Sequence, residues 1–328
     1  MIWLTWRQHR KQVLYTAIAL AVLAAVMLPT GLSMHHVFTD SGLAACLAKV
    51  PSTPVISANV DTCGTLSGEF SRQFNSMGFI AILFLILPVL VGLFYGAPLV
   101  AREVEHGTHR FVWTQGVSRR QWAATEFGLI GAITLVFAIA YALGIDWWSG
   151  PLITNGGRMG QFVFDFEGIA PIAYTLFAVA LGVLVGAVSR KVLPAMGVTL
   201  AGYAVVRVVI EVFARPRYQS PLAASFPITS NDLFNTPGAW TYSQGIINGA
   251  GKLVQPNDFM TCGSPTGGAG ACGDQLVQQG LGPAPFSNWQ QYQPASRFWE
   301  FQGIETGIFL ALAAILVYLA FRRIRGIS

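Results

Sequence analysis

Apolar residues in this chain come in long blocks, separated by short arginine-rich segments or by longer loops rich in glycine. Six blocks stand out, at about 13–34, 79–100, 127–145, 171–188, 193–213 and 304–321. They have no polar face to turn to water, so they do not read as amphipathic helices on a soluble core. About 20 apolar residues cross the ~30 Å hydrocarbon layer as a helix, and only a helix or a closed barrel satisfies its own backbone there. The pattern predicts an all-α polytopic membrane protein with six transmembrane helices in a single domain. The first block is too long for a signal-peptide core, and no small-residue cleavage site follows it, so it counts as a span.

Local signals refine this frame. Thr5 and Gln8 have capping-box spacing, which predicts a short interfacial helix bending into the first span. Ser118 and Gln121 repeat the spacing and predict the start of the third. Pro88 lies within the second block and predicts a kink, because it removes a donor and frees a carbonyl. Gly92/Gly96 and Gly182/Gly186 have the GxxxG spacing that lets helix backbones approach closely. The middle of the last loop, Cys262 to Cys272, reads as flexible and turn-rich. There is no internal repeat.

Charge placement orients the spans. The chain is 11% charged, against about a quarter in soluble domains, which agrees with a membrane protein. Its formal charge is +5, but the basic residues sit at block ends rather than in one stripe, so nucleic acid is not the partner they indicate. Twelve of the 20 lie in short segments on one side: Arg7 to Lys11, Arg102 to Arg120, Arg190-Lys191 and Arg322 to Arg325. By the positive-inside rule that side is cytoplasmic, and both termini face it. The loops at 35–76 and 214–302 are then extracytoplasmic, with Trp147, Trp148, Trp289 and Trp299 near the outer ends of spans, as an aromatic belt requires.

All four cysteines fall in those outer loops, Cys46 and Cys63 in the first, Cys262 and Cys272 in the last. Paired cysteines in an oxidising compartment predict disulfides, and pairing within each loop is the economical one of three connectivities. Neither loop has the close Cys/His spacing of a zinc site.

Candidate chemistry is sparse. A nucleotide-hydrolysing chain carries a glycine-rich loop ending Gly-Lys-Ser/Thr. Here Gly251-Lys252-Leu253 has Ile246 where the first glycine belongs and no hydroxyl after the lysine. We therefore expect no nucleotide site, no resident cofactor or metal, and no catalysis by this chain. No histidine lies in a span. Arg207 and Glu211 lie four apart in the fifth block, on one helix face. They read as a structural ion pair, with Arg207 near enough to the outer interface to snorkel, or as part of a translocation path.

The segment at 101–122 is the most informative. Glu103 and Glu105 follow the second block, Gly107 allows a break, and a short piece carrying Phe111, Val112 and Trp113 precedes Arg119 and Arg120. Aromatics held at the membrane between two spans suit docking to a cytoplasmic partner. Its Glu-x-Glu-x-Gly-Thr-His-Arg and Thr-Gln-x-Val-Ser-Arg-Arg-x-Trp runs resemble the segment after the second span in ABC-2-type permeases, especially a bacterial subgroup. Met1 to Arg10, Asp40 to Cys46, Tyr292 to Trp299 and Gln302-x-x-Glu305 resemble that subgroup too, whereas 235–285 does not.

The resemblance implies the six-helix, type V exporter-like transmembrane domain of a multi-pass protein of the bacterial plasma membrane. It implies pairing with a second permease copy, identical or paralogous, within the lipid bilayer. Separate P-loop ABC ATPase subunits, holding ATP and Mg, would dock on a coupling segment to which Glu103, Glu105, Gly107, Thr108, His109, Arg110, Arg119 and Arg120 belong. Export of a small molecule, lipid or peptide would follow. The alternative is a non-transporting scaffold or sensor that uses its outer loop to bind a ligand.

Overall fold

The computed structural model describes residues 2–49, 55–57, 63–106, 119–228, 233–235, 238–260 and 270–325. Among them, six helices are long and apolar enough to cross a membrane, at 13–40, 87–105, 121–156, 170–189, 192–217 and 295–324. Each overlaps one of the six apolar blocks, and most run beyond it.

Helix α1 (Ile2–Asp40) is continuous. It begins before Thr5, so the expected cap and the separate interfacial helix do not form. The loop expected to be extracytoplasmic follows, with α2 (Leu43–Leu47), β1 (Val55–Ser57) and α3 (Gly64–Gln73). Cys46 and Cys63 are disulfide-bonded across it, as expected. Leu43, Phe70 and Phe74 are buried there against Met34 and Phe38 of α1.

The second span breaks rather than kinks. Helix α4 (Asn75–Phe84) ends, two residues turn, and α5 (Leu87–Glu105) begins with Pro88 in its first turn. A proline at that position needs no donor of its own. It does leave the Phe84 carbonyl, four residues back, without its helical partner, and the Tyr141 hydroxyl donates to that carbonyl at 2.7 Å.

Helix α6 (Arg119–Gly156) starts one residue after Ser118 and continues through Pro151. It packs on α1, where Gly31 is needed, since a Cβ there would lie 2.8 Å from the Trp147 ring. Trp148 is a correction to the belt. It is 1% exposed and its Nε1 donates to Thr30 Oγ1 at 2.9 Å, whereas Trp147 and Trp299 are exposed. An indole that finds an acceptor in the core loses nothing by leaving the interface.

A short α7 (Gln161–Phe166) leads into α8 (Ala170–Ser189), the centre of the bundle. It packs against α5, α6 and, further on, α9 (Val192–Arg217) and α11 (Phe298–Arg325). The two GxxxG pairs face each other. A Cβ on Gly92 or Gly96 would lie 2.6 or 2.4 Å from backbone oxygens of α8, and one on Gly182 or Gly186 equally close to α5 backbone. Small residues on both helices set this approach, as in other membrane helix pairs.

The last long loop, between α9 and α11, carries a sheet that an all-α chain does not anticipate; of the 262–272 stretch expected to be flexible, 262–269 lie outside the described residues. Strands β2 (Leu222–Pro227), β4 (Trp240–Ile247), β5 (Leu253–Pro256) and β6 (Ser287–Gln293) form an antiparallel sheet in the order β2-β6-β4-β5, and β3 (Leu233–Asn235) pairs with β1. With α10 (Gly270–Gln278), it encloses Ile228, Ile246, Leu276 and Phe286. Of its two interior strands, β6 (Ser-Asn-Trp-Gln-Gln-Tyr-Gln) is mostly polar and has no β-branched residue, whereas β4 carries Thr241, Ile246 and Ile247.

Candidate functional site: a buried ion network joining three spans

Two arginines of α9 meet carboxylates from outside it. Arg207 pairs with Asp165 at 2.7 Å and with Glu305 at 3.0 Å. Arg215 donates through Nη2 and Nε to the two oxygens of Glu305 at 2.8 and 2.9 Å, and also pairs with Asp165. The Tyr174 hydroxyl donates to Glu305 at 2.7 Å and that of Tyr218 at 3.3 Å. The network thus joins α7, α8, α9 and α11. Arg215 is 1% exposed and Glu305 0%.

The backbone of α9 makes this convergence geometric. Residues 207 and 215 are eight apart, which on a regular helix sets them about 80° apart around the axis. Residues Ile210–Ala214 form a π-helical turn, which absorbs about one residue and brings the two side chains to within about 20° of one face. Aromatic rings complete the cage. Arg207 Cζ lies 3.8 Å from the Tyr174 ring centre and Arg215 Cζ 4.4 Å from that of Phe164.

The carboxylates are held by the turn between α7 and α8. Gln302 of α11 accepts from Ala170 N at 2.8 Å and donates to the Phe164 carbonyl at 2.9 Å. Gly168 donates to Asp146 of α6 at 2.9 Å. Its φ of +76° and the 2.9 Å that would separate a Cβ from Gln302 Oε1 both require glycine. In the same turn Glu167, 3% exposed, pairs through Oε1 with Arg158 at 3.0 Å, while Oε2 has no hydrogen-bond partner. Burial pushes the Glu167 carboxyl up to about 7; Arg158 opposes the shift and Asp146 adds to it.

Of the residues expected to act, Arg207 is in the network and points inward rather than snorkelling. Glu211 is a correction. Among the described residues no ion pair joins it to Arg207, because it falls inside the π-helical turn that the i,i+4 argument did not include. Asp165 and Arg215 lie outside the six apolar blocks, and Glu305 lies at the start of the last one. The available signal for Glu305 was the Gln302-x-x-Glu305 spacing, which puts both residues on one face of α11.

At the other end of α9 the structure places one residue of the segment expected to couple, Glu105. Glu105 Oε2 accepts from Val192 N, the first residue of α9, at 2.9 Å. A carboxylate there meets the unpaired N–H groups and positive end of a helix. Glu103 lies in the last turn of α5, and Arg119 and Arg120 open α6. Gly107, Thr108, His109 and Arg110 lie outside the described residues, as do the side chains of Cys262 and Cys272.

No curated protein and no solved structure matches the chain. A family model does, the one for ABC-2 membrane transporter related proteins, over residues 17–215, from α1 through Arg215. That span covers more than half the chain and five of the six long apolar helices, so the protein belongs to the ABC-2 membrane transporter related family and is a multi-pass transporter permease.

Proposed function

We propose that this chain is the membrane-spanning half-unit of an ATP-driven exporter in a bacterial plasma membrane, with both termini cytoplasmic. ATP and Mg are bound and hydrolysed on a separate P-loop ATPase, which docks on the 101–122 segment. A second permease copy, identical or paralogous, completes the pathway, and the cargo is a small molecule, lipid or peptide. The family match and the absence of a Gly-Lys-Ser/Thr loop from the sequence support this division of labour.

The observation that carries the reading is the attachment of α9 at both ends. Near its start, Glu105 ties it to the end of α5, within the 101–122 segment. About 22 Å along, Arg207 ties it to α7 and α11. A rigid helix so held passes a displacement at the coupling end to the ion network, whose pairs either hold or break. ATP-driven movement of the coupling segment then opens the network on the opposite side of the membrane.

The test is co-expression with the neighbouring ATPase and transport in proteoliposomes. The complex should co-purify and hydrolyse ATP, and Glu105→Ala, which removes the acceptor of the Val192 amide, should lower transport per ATP hydrolysed by about tenfold, a loss of ~1.4 kcal/mol of coupling. A chain that binds no ATPase, or a Glu105→Ala variant with unchanged coupling, overturns the proposal. The sheet of the last outer loop, folded around its own core, favours a second reading as a ligand-binding sensor. In that case an isolated chain binds its ligand and ATPase deletion has no effect.

A further inference from the structure

A groove of about 520 Å³ opens on the side of the bundle between α5, α6, α8 and α11. Its wall is apolar apart from the Tyr318 hydroxyl, and small residues (Gly131, Ala180, Ala313, Ala314) make the room. A Cβ at Gly131 would meet no atom within 4 Å, so that glycine faces the open space.

The direction of the groove is set by three helices. Along α11 it runs from Leu310 to Phe321, about 16 Å at 1.5 Å per residue. That is half of the ~30 Å hydrocarbon layer, the depth of one leaflet. It ends beside Leu99 of α5 and beside Phe127 of α6, whose ring meets that of Phe321 at 4.9 Å. Immediately beyond this end stand two exposed guanidinium groups. Arg102 is one turn after Leu99, and Arg322 follows Phe321 with its Cζ 6.0 Å from the Tyr318 ring.

We infer that the groove is a binding site for an anionic membrane phospholipid, its acyl chain along α11 and its phosphate between Arg102 and Arg322. The length of the groove matches a chain confined to one leaflet and is too short for a helix crossing both. Its apolar wall takes hydrocarbon at no desolvation cost, and the two arginines, from different spans, supply the charge at headgroup depth. The site needs no ATPase and no second copy, so it stands apart from the transport proposal.

The experiment uses the full chain in vesicles of phosphatidylcholine doped with phosphatidylglycerol or phosphatidylcholine carrying a photoreactive acyl chain. Labelling should concentrate on the Gly131, Ala180 and Ala314 region, and phosphatidylglycerol should outcompete phosphatidylcholine there. Each of Arg102→Gln and Arg322→Gln should cut that preference about fivefold without removing acyl labelling. Gly131→Leu should abolish labelling by both lipids, and Ala314→Phe gives an independent filling variant should the first fail to fold. Labelling spread over lipid-facing residues such as Val198 and Leu200, or equal labelling by the two headgroups, overturns the inference. So does cross-linking of two chains through a cysteine replacing Phe127, which makes the groove a subunit interface.

Discussion

Tyr141 and Phe84 close a gap that Pro88 opens. The hydroxyl of Tyr141, buried on α6, donates at 2.7 Å to the carbonyl that would otherwise bond the amide of residue 88. A buried carbonyl without a partner costs about 1–3 kcal/mol. Tyr141→Phe should therefore destabilise the protein by that amount in detergent unfolding. Pro88→Ala restores an amide four residues after Phe84, so adding it to Tyr141→Phe should recover part of the loss. A double variant no more stable than Tyr141→Phe alone would refute the account.

The proline was legible in the sequence and its partner was not. Pro88 announces a freed carbonyl by covalent structure alone, whereas Tyr141 is one of nine tyrosines in the chain, and only packing selects it. The same division runs through the fold. The six apolar blocks and both GxxxG stretches depend on spacing along one element, and the Cys46–Cys63 pair on two cysteines sharing one loop, and the structure has them. The ion network depends on a π-helical turn and on a turn at 164–170, and a charge pattern read at regular helical spacing paired Arg207 with the wrong carboxylate. The sheet of the last long loop was missed although β4 (Trp-Thr-Tyr-Ser-Gln-Gly-Ile-Ile) carries strand-forming residues, because its partner β6 is mostly Asn, Gln and Ser and lies about 40 residues away in the chain.

The facing glycines predict a sharp contrast. A methyl group at Gly182 would lie 2.6 Å from Ala97 N and from Gly92 O, and neither backbone atom has room to move. Gly182→Ala should force α5 and α8 apart at a cost of about 1–3 kcal/mol. Gly197→Ala in α9 is the control, because a Cβ there meets nothing within 4 Å. It should be neutral or stabilising by up to about 1 kcal/mol through helix propensity. Equal effects on thermal unfolding would mean that the close approach of α5 and α8 is not what Gly182 provides.

The ion network predicts non-additive losses. Arg215→Met strips Glu305 of two of its hydrogen bonds in a site closed to water. Breaking one side of a buried pair costs about 3–5 kcal/mol, mostly by stranding the other charge. Glu305→Gln strands Arg215 in the same way. The double variant Arg215→Met/Glu305→Gln removes both charges and should be less destabilised than the sum of the singles by at least about 1 kcal/mol. Additive losses in a double-mutant cycle would show that Asp165, Tyr174 and Tyr218 hold the two residues independently.

Glu167 predicts how stability depends on pH. Its carboxyl titrates near 7 in the folded protein, chiefly through burial, against 4.5 for the group in water. Between those values the folded state holds a proton that the unfolded state has released, so stability falls as pH rises. The favourable contribution is complete below pH 4.5 and lost as pH passes 7. At about 1.4 kcal/mol per pKa unit, the full swing is roughly 3 kcal/mol. The ion pair with Arg158 opposes it, so Arg158→Gln should push the titration higher and deepen the loss at pH 8. Glu167→Gln keeps the neutral shape at every pH, and its unfolding temperature should lose this step between pH 5 and pH 8. An unchanged step in that variant would assign the titration to another group.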